Sequence, residues 1–241
     1  MIETNRDRYV VSFMPGSRGR FISNIIYKLV NNLSDPIEFT NLNSAHNFID
    51  ITNINFVSKA SDFIPNLDRK KVFFTHLYPN NDWHSDMGVI FINVPLSSLP
   101  EVLLNAAIKN VFPKLEKQSA NEELNDGEKN FIKSYKKSYP GLDVDLLHDA
   151  NKQKEYLEFV FQDGFRHKLL YTQFVDNESF DGFRIEYDTF FFKEEGCYAT
   201  LKKLCELVGV PYNVDVHNEF EEYDKTKYKL FEKYCPWFLK E

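Results

Sequence analysis

Residues 9–33, YVVSFMPGSRGRFISNIIYKLVNNL, constrain the fold more than any other stretch. Tyr9 to Met14 is a short, largely apolar run that suits a buried strand. Pro15-Gly16-Ser17-Arg18-Gly19-Arg20 breaks it. Apolar residues then recur at Phe21, Ile22, Ile25, Ile26, Leu29, Val30 and Leu33, a helical spacing that marks one broad face. In a strand–loop–helix unit the loop amides and the helix N-terminus point at one spot, and that spot attracts anions. Arg18 and Arg20 add two charges suited to paired hydrogen bonds with phosphate or sulfate. Neither GxxxxGK[ST] nor GxGxxG is present. The loop is read either as an anion cradle or as a structural turn with two solvated arginines.

Further apolar runs follow. Val72 to Phe74 predicts a short buried strand, with Thr75 and His76 at its end, where α/β sheets place ligand-binding groups. Gly88 to Val94 is continuous enough for a central strand covered on both faces. It ends in Asn93, so the acidic metal-holding residue of many nucleotide hydrolases is missing. Ser97 or Ser98 is expected to cap a helix from Leu99 to about Val111, with Pro100 in its first turn. A fourth strand is expected over Gly182 to Asp188, and a helix over Glu194 to Val208 closed by Gly209. The tail from Tyr223 reads as a short amphipathic helix packing through Cys235-Pro236-Trp237-Phe238.

These runs predict an α/β fold with a mainly parallel central sheet, in one domain over 1–241. Residues 114–155 are polar and charge-rich, and read as an exposed helical insertion, a possible lid or acceptor region. Residues 37–66 hold short apolar pieces with no clear order. A net charge of −7 argues against a general nucleic-acid binder. The three cysteines are widely spaced and form no CxxC or zinc pattern, so no metal site is expected and a reduced compartment is. The N-terminus has no apolar signal core and no stretch approaches a membrane span, which reads as cytoplasmic with no membrane partner.

Three pieces together resemble the P-loop sulfotransferase family, in similar order and spacing across most of the chain. Pro15-Gly16-Ser17-Arg18-Gly19-Arg20-Phe21 resembles that family's Pro-Lys/Arg-Ser-Gly-Thr-Thr-Trp/Leu loop. Phe74-Thr75-His76-Leu77 resembles its Lys-Thr-His-Leu. Ile185-Glu186-Tyr187-Asp188, the following helix and Leu207-Val208-Gly209-Val210-Pro211 resemble its Tyr-Glu-Asp strand, helix and Phe-Leu-Gly ending.

The resemblance implies a three-layer P-loop-type fold and transfer of a sulfuryl group from 3′-phosphoadenosine-5′-phosphosulfate. The acceptor would be a hydroxyl or amine of a small molecule or carbohydrate. His76 would be the general base, and Arg18 would stabilise charge in the transfer. Pro15, Gly16, Ser17, Arg18, Gly19, Arg20 and Phe21 would cradle the donor, helped by Ser97 and Ser98, and the scheme requires no metal. The chain departs from the family where Gly16 replaces the loop Lys or Arg, and where Val94 and Val102 replace the Arg and Ser that hold the donor's 3′-phosphate. A non-catalytic nucleotide-binding relative is the alternative, followed by a kinase-like phosphotransferase.

Overall fold

The run that starts at Tyr9 becomes the central strand of a parallel sheet. The computed structural model describes residues 6, 8–31, 49–50, 71–76, 78–79, 88–162, 173–212 and 214–239. Its strands are β1 (Arg8–Ser12), β2 (Ile49–Asp50), β3 (Lys71–Thr75), β4 (Gly88–Asn93) and β5 (Phe183–Glu186). They lie in the order β2-β3-β1-β4-β5, and every pairing is parallel. In register, Val10 faces Phe73 on one side and Val89 on the other. The four expected strands are therefore neighbours in one sheet. All six residues of β4 are buried, as a strand covered on both faces requires.

The helices are α1 (Gly19–Asn31), α2 (Leu99–Asn110), α3 (Phe112–Ser119), α4 (Asp126–Ser138), α5 (Ala150–Gln162), α6 (Tyr187–Phe192), α7 (Glu194–Val208) and α8 (Val214–Tyr234). The apolar face of α1 packs on β1 and β3 and meets α7. Ser98 stands at the N-cap of α2, but its side chain makes no capping bond, in contrast to the expectation; Pro100 lies in the first turn. The charge-rich stretch 114–155 is anchored rather than loose. Leu115, Leu124, Ile132, Leu142, Leu146 and Leu147 are buried at intervals along it. The strand expected through Asp188 stops at Glu186, because Tyr187 opens α6 and buries with Phe190 and Phe191. The tail helix starts at Val214 rather than Tyr223. Gly209 caps α7 in the left-handed region, as expected. Of the unordered stretch 37–66, residues 37–48 and 51–66 lie outside the described residues, as does Leu77.

After β1 the chain leaves toward the β3 side of the sheet, and after β4 it leaves toward β5. The carboxyl ends of β1 and β4 therefore flank the switch point, where such sheets form their crevice. Both the 13–18 loop and the segment 94–98 emerge there. Asn93 ties this edge together, donating to Glu186 Oε2 (2.7 Å) and accepting from the Asn177 amide (2.8 Å). No helix among the described residues is long and apolar enough to cross a membrane. Cys197, Cys205 and Cys235 are buried free thiols.

Candidate functional site

Pro15-Gly16 shapes the loop. The Ser17 amide donates to Met14 O (3.0 Å), closing a turn with Pro at its second position and Gly at its third. Gly16 has φ +94, as the third position of a type II turn requires. The Ser17 hydroxyl donates to the same Met14 carbonyl at 2.7 Å, and Ser17 is fully buried. The amide and hydroxyl protons of Ser17 are thus both spent inside the turn.

The crevice side of this turn is filled by α2. A Cβ on Gly16 would sit 2.0 Å from Val102 O and 3.1 Å from the Ala106 Cβ. Asn105 Nδ2 donates to Gly16 O at 2.6 Å. At Gly19 a Cβ would fall 1.9 Å from the Phe13 ring, so that ring lies directly over the start of α1. The glycines here serve close packing of the loop against protein. Val94 and Val102 are wholly buried, and Val94 exchanges backbone bonds with Phe174 and Asp176.

Arg18 turns inward. It holds a left-handed φ of 61°, a conformation that costs a non-glycine residue about 1–2 kcal/mol. Its buried guanidinium donates to Glu101 Oε1 at 2.6 Å and lies 4.3 Å from the centre of the Phe191 ring. The same oxygen accepts from Lys227 (2.7 Å) and from the Tyr187 hydroxyl (3.2 Å). The charge expected to face a ligand is committed to a carboxylate inside the protein.

Arg20 lies in the first turn of α1 and is half-buried, and Phe21 behind it is core. Near Arg20 is Lys109, in the last turn of α2. Burial, reinforced by the Arg20 guanidinium, pushes the Lys109 ammonium down to about 7. Sequence reading missed Lys109, although the one cation of the LPEVLLNAAIKN helix was a visible signal.

His76 follows the end of β3, beside β1. Its Nδ1 lies 2.9 Å from Phe13 O, and its ring meets the Phe13 ring edge-on at 4.6 Å. A carbonyl can only accept, so Nδ1 carries a proton in this contact, and in the neutral ring the lone pair is on Nε2. The Phe13 residue thus connects His76 to Gly19. Ser97 is exposed and Ser98 half-buried. Leu96 and Leu99, which flank them, line an apolar groove of about 560 Å³ with Leu103, Leu157, Phe161 and Trp237.

No protein-family model matches the chain, and no curated protein or solved structure matches it either.

Proposed function

We propose that this chain is a sulfotransferase-like protein that passes a sulfuryl group from 3′-phosphoadenosine-5′-phosphosulfate to a hydroxyl or amine of a small-molecule or carbohydrate acceptor. The observation that carries the reading is His76, at the carboxyl edge of the sheet, with its tautomer fixed by Phe13 O. In the transfer, the acceptor oxygen forms a bond to sulfur while the donor's phosphate–sulfate bridging oxygen leaves with its electrons. His76 Nε2 takes the acceptor proton, a task suited to an imidazole near neutral pH. Adenosine 3′,5′-bisphosphate is the other product. In this scheme Arg20 and the first turn of α1 face the charge that grows on the leaving group. Arg18 holds the loop in place from behind, through Glu101.

A second reading, a non-catalytic relative that retains the fold, is favoured by one observation. The positions that hold the 3′-phosphate in the family are here the buried Val94 and Val102, and Val102 O packs on Gly16.

Thermal unfolding with adenosine 3′,5′-bisphosphate, ATP–Mg²⁺ or no ligand separates the readings. At a hundred times its dissociation constant a ligand adds about 2.7 kcal/mol of stability, an easily measured shift. The bisphosphate should give the larger shift. Slow hydrolysis of the donor, with water as acceptor, should fall by about 10²–10⁴ in His76→Ala while that shift persists. A shift without hydrolysis supports the non-catalytic reading, and a metal-dependent preference for ATP overturns both.

A further inference from the structure

Four lysines of α4, Lys129, Lys133, Lys136 and Lys137, recur at i, i+4, i+7 and i+8 and form one stripe about 12 Å long. All four are exposed, and all four line one open cavity of about 480 Å³. Leu124 and Ile132, both buried, form its floor, and Gln118 lines it from α3. Another flank of α4 is already occupied. Its Glu128 accepts from Lys117 of α3 at 2.8 Å. The centre of its Phe131 ring lies 4.4 Å from Lys114 Nζ, and that ring stacks on Tyr135. These contacts hold α4 against α3 and leave the lysine stripe to the cavity.

The stripe is short of counter-charge. No acidic residue follows Glu128 in α4. Lys133, Lys136 and Lys137 make no hydrogen bond or ion pair with any described residue. Lys129 has loose contacts, 3.7 Å to Glu123 and 4.0 Å to Asp126, and both of those side chains are almost fully exposed. Like charges three or four residues apart on a helix repel, and Lys133 faces Lys129, Lys136 and Lys137 at those spacings. The helix dipole favours Lys136 and Lys137 in the last turn, but does not account for Lys129 and Lys133. Elsewhere on this chain, of net charge −7, Lys152, Lys225 and Lys233 each lie within 2.7 Å of a carboxylate. A merely solvated face needs neither the convergence on a cavity nor the exclusion of acids.

The geometry points to a binding site on α4 for a compact polyanion, a small molecule carrying several phosphate or sulfate groups, held by Lys129, Lys133, Lys136 and Lys137. The cavity is of small-ligand size. A single phosphate engages one or two ammoniums, whereas several clustered groups can meet all four, and the flexible lysine stems let the charges converge. A lipid surface is met by apolar side chains standing clear of the protein, and here the two apolar residues are buried. The net charge of −7 disfavours a nucleic acid. None of the lining residues belongs to the 13–18 loop, to β3 or to the segment 94–98. The site is therefore separate from the sheet edge, and it rests on no step of sulfuryl transfer.

Inositol hexakisphosphate is the probe, titrated by calorimetry into the full chain at low and high salt. It should bind the wild type, and more weakly as salt rises. The triple variant Lys133→Gln/Lys136→Gln/Lys137→Gln should lose about tenfold or more in affinity. Glutamine matches lysine in helix propensity, so α4 should persist, which circular dichroism checks. If the triple variant does not fold, Lys133→Gln alone replaces it, with a smaller loss expected. Lys202→Gln, on an exposed position of α7, makes the same single charge change elsewhere and should bind as the wild type does. Inorganic phosphate should bind far more weakly than the probe. No binding by the wild type, equal binding by the triple variant, or an equal loss in Lys133→Gln and Lys202→Gln overturns the site. Tighter binding to phosphatidylserine vesicles or to a single-stranded oligonucleotide than to the probe overturns it as well, since either would mark a broad charged surface.

Discussion

A lysine that loses its proton near neutrality weakens the fold wherever the unfolded chain would keep that proton. Lys109 is lowered from 10.5 to about 7, first by burial and then by Arg20. Above 10.5 both states are neutral and the penalty vanishes. Between about 7 and 10.5 the unfolded chain binds a proton that the folded chain does not. Stability therefore falls as pH falls through this window, by at most about 1.4 kcal/mol per pH unit. Below about 7 the loss is complete and constant. Lys109→Met should be more stable than wild type at pH 7, with the gap closing as pH rises toward 10.5. Urea unfolding at pH 6, 8 and 10 measures this, and a gap independent of pH would show that Lys109 titrates normally. The same scale shows why the loop was only partly legible. Arg18 and Arg20 look alike in a glycine-rich hexapeptide. They differ because Glu101, 83 positions beyond Arg18, captures one of them. No local pattern encodes that pairing.

Elements were legible where one force dominated. A strand covered on both faces reads as an unbroken apolar run, as β4 does, while β5 is an edge strand in which buried Phe183 and Ile185 alternate with Arg184 and Glu186; β1, β3, β4 and β5 were all expected close to where they lie. The apolar stripe of α7 and its glycine cap were equally plain. TFFF, by contrast, suits a strand by propensity, yet Thr189 to Phe192 lie in α6, where Phe190 and Phe191 enter the core. The two-residue β2 gave no periodic signal at all. Helix α4 is a different case, since Ile132 is its one buried residue and local terms must carry it. Asn125 Oδ1 accepts from the Glu128 amide at 2.9 Å, and the Glu128 carboxylate accepts from the Asn125 amide at 3.0 Å. This capping box satisfies two of the otherwise unpaired donors at the start of the helix. Asn125→Ala should cost about 1 kcal/mol. The cost should appear as faster amide exchange over the first turns of α4, with slow-exchanging β1 and β4 amides little changed. Uniform acceleration across the sheet would show instead that α4 is integral to global stability.

At the scale of the whole molecule, one carboxylate joins four separate parts of the chain. Glu101 of α2 receives Arg18 from the loop after β1, Tyr187 from α6 and Lys227 from α8. The Arg18 side chain is fully buried, and those of Glu101 and Lys227 are each 7% exposed. Aromatic rings line the cluster: Lys227 Nζ lies 4.9 Å from the Phe192 centroid and 5.6 Å from that of Phe231. These faces favour cations, which helps to offset the loss of water. Such an arrangement is asymmetric in energy. Forming it yields little net stability, because three ionic groups give up hydration. Removing the shared anion takes a counter-charge from two buried cations at once, at a cost of about 3–5 kcal/mol. Glu101→Gln retains the shape and should show that full loss, roughly 10 °C in the unfolding midpoint of a chain this size. Lys152→Ala, which breaks the exposed contacts of Lys152 with Asp143 and Asp145, provides the comparison. The loss in Glu101→Gln should exceed that of Lys152→Ala severalfold and should persist in 1 M salt, because buried pairs are screened far less than surface ones. Equal losses, or a Glu101→Gln effect that salt abolishes, would mean that water reaches the cluster and that the four segments are joined by packing alone.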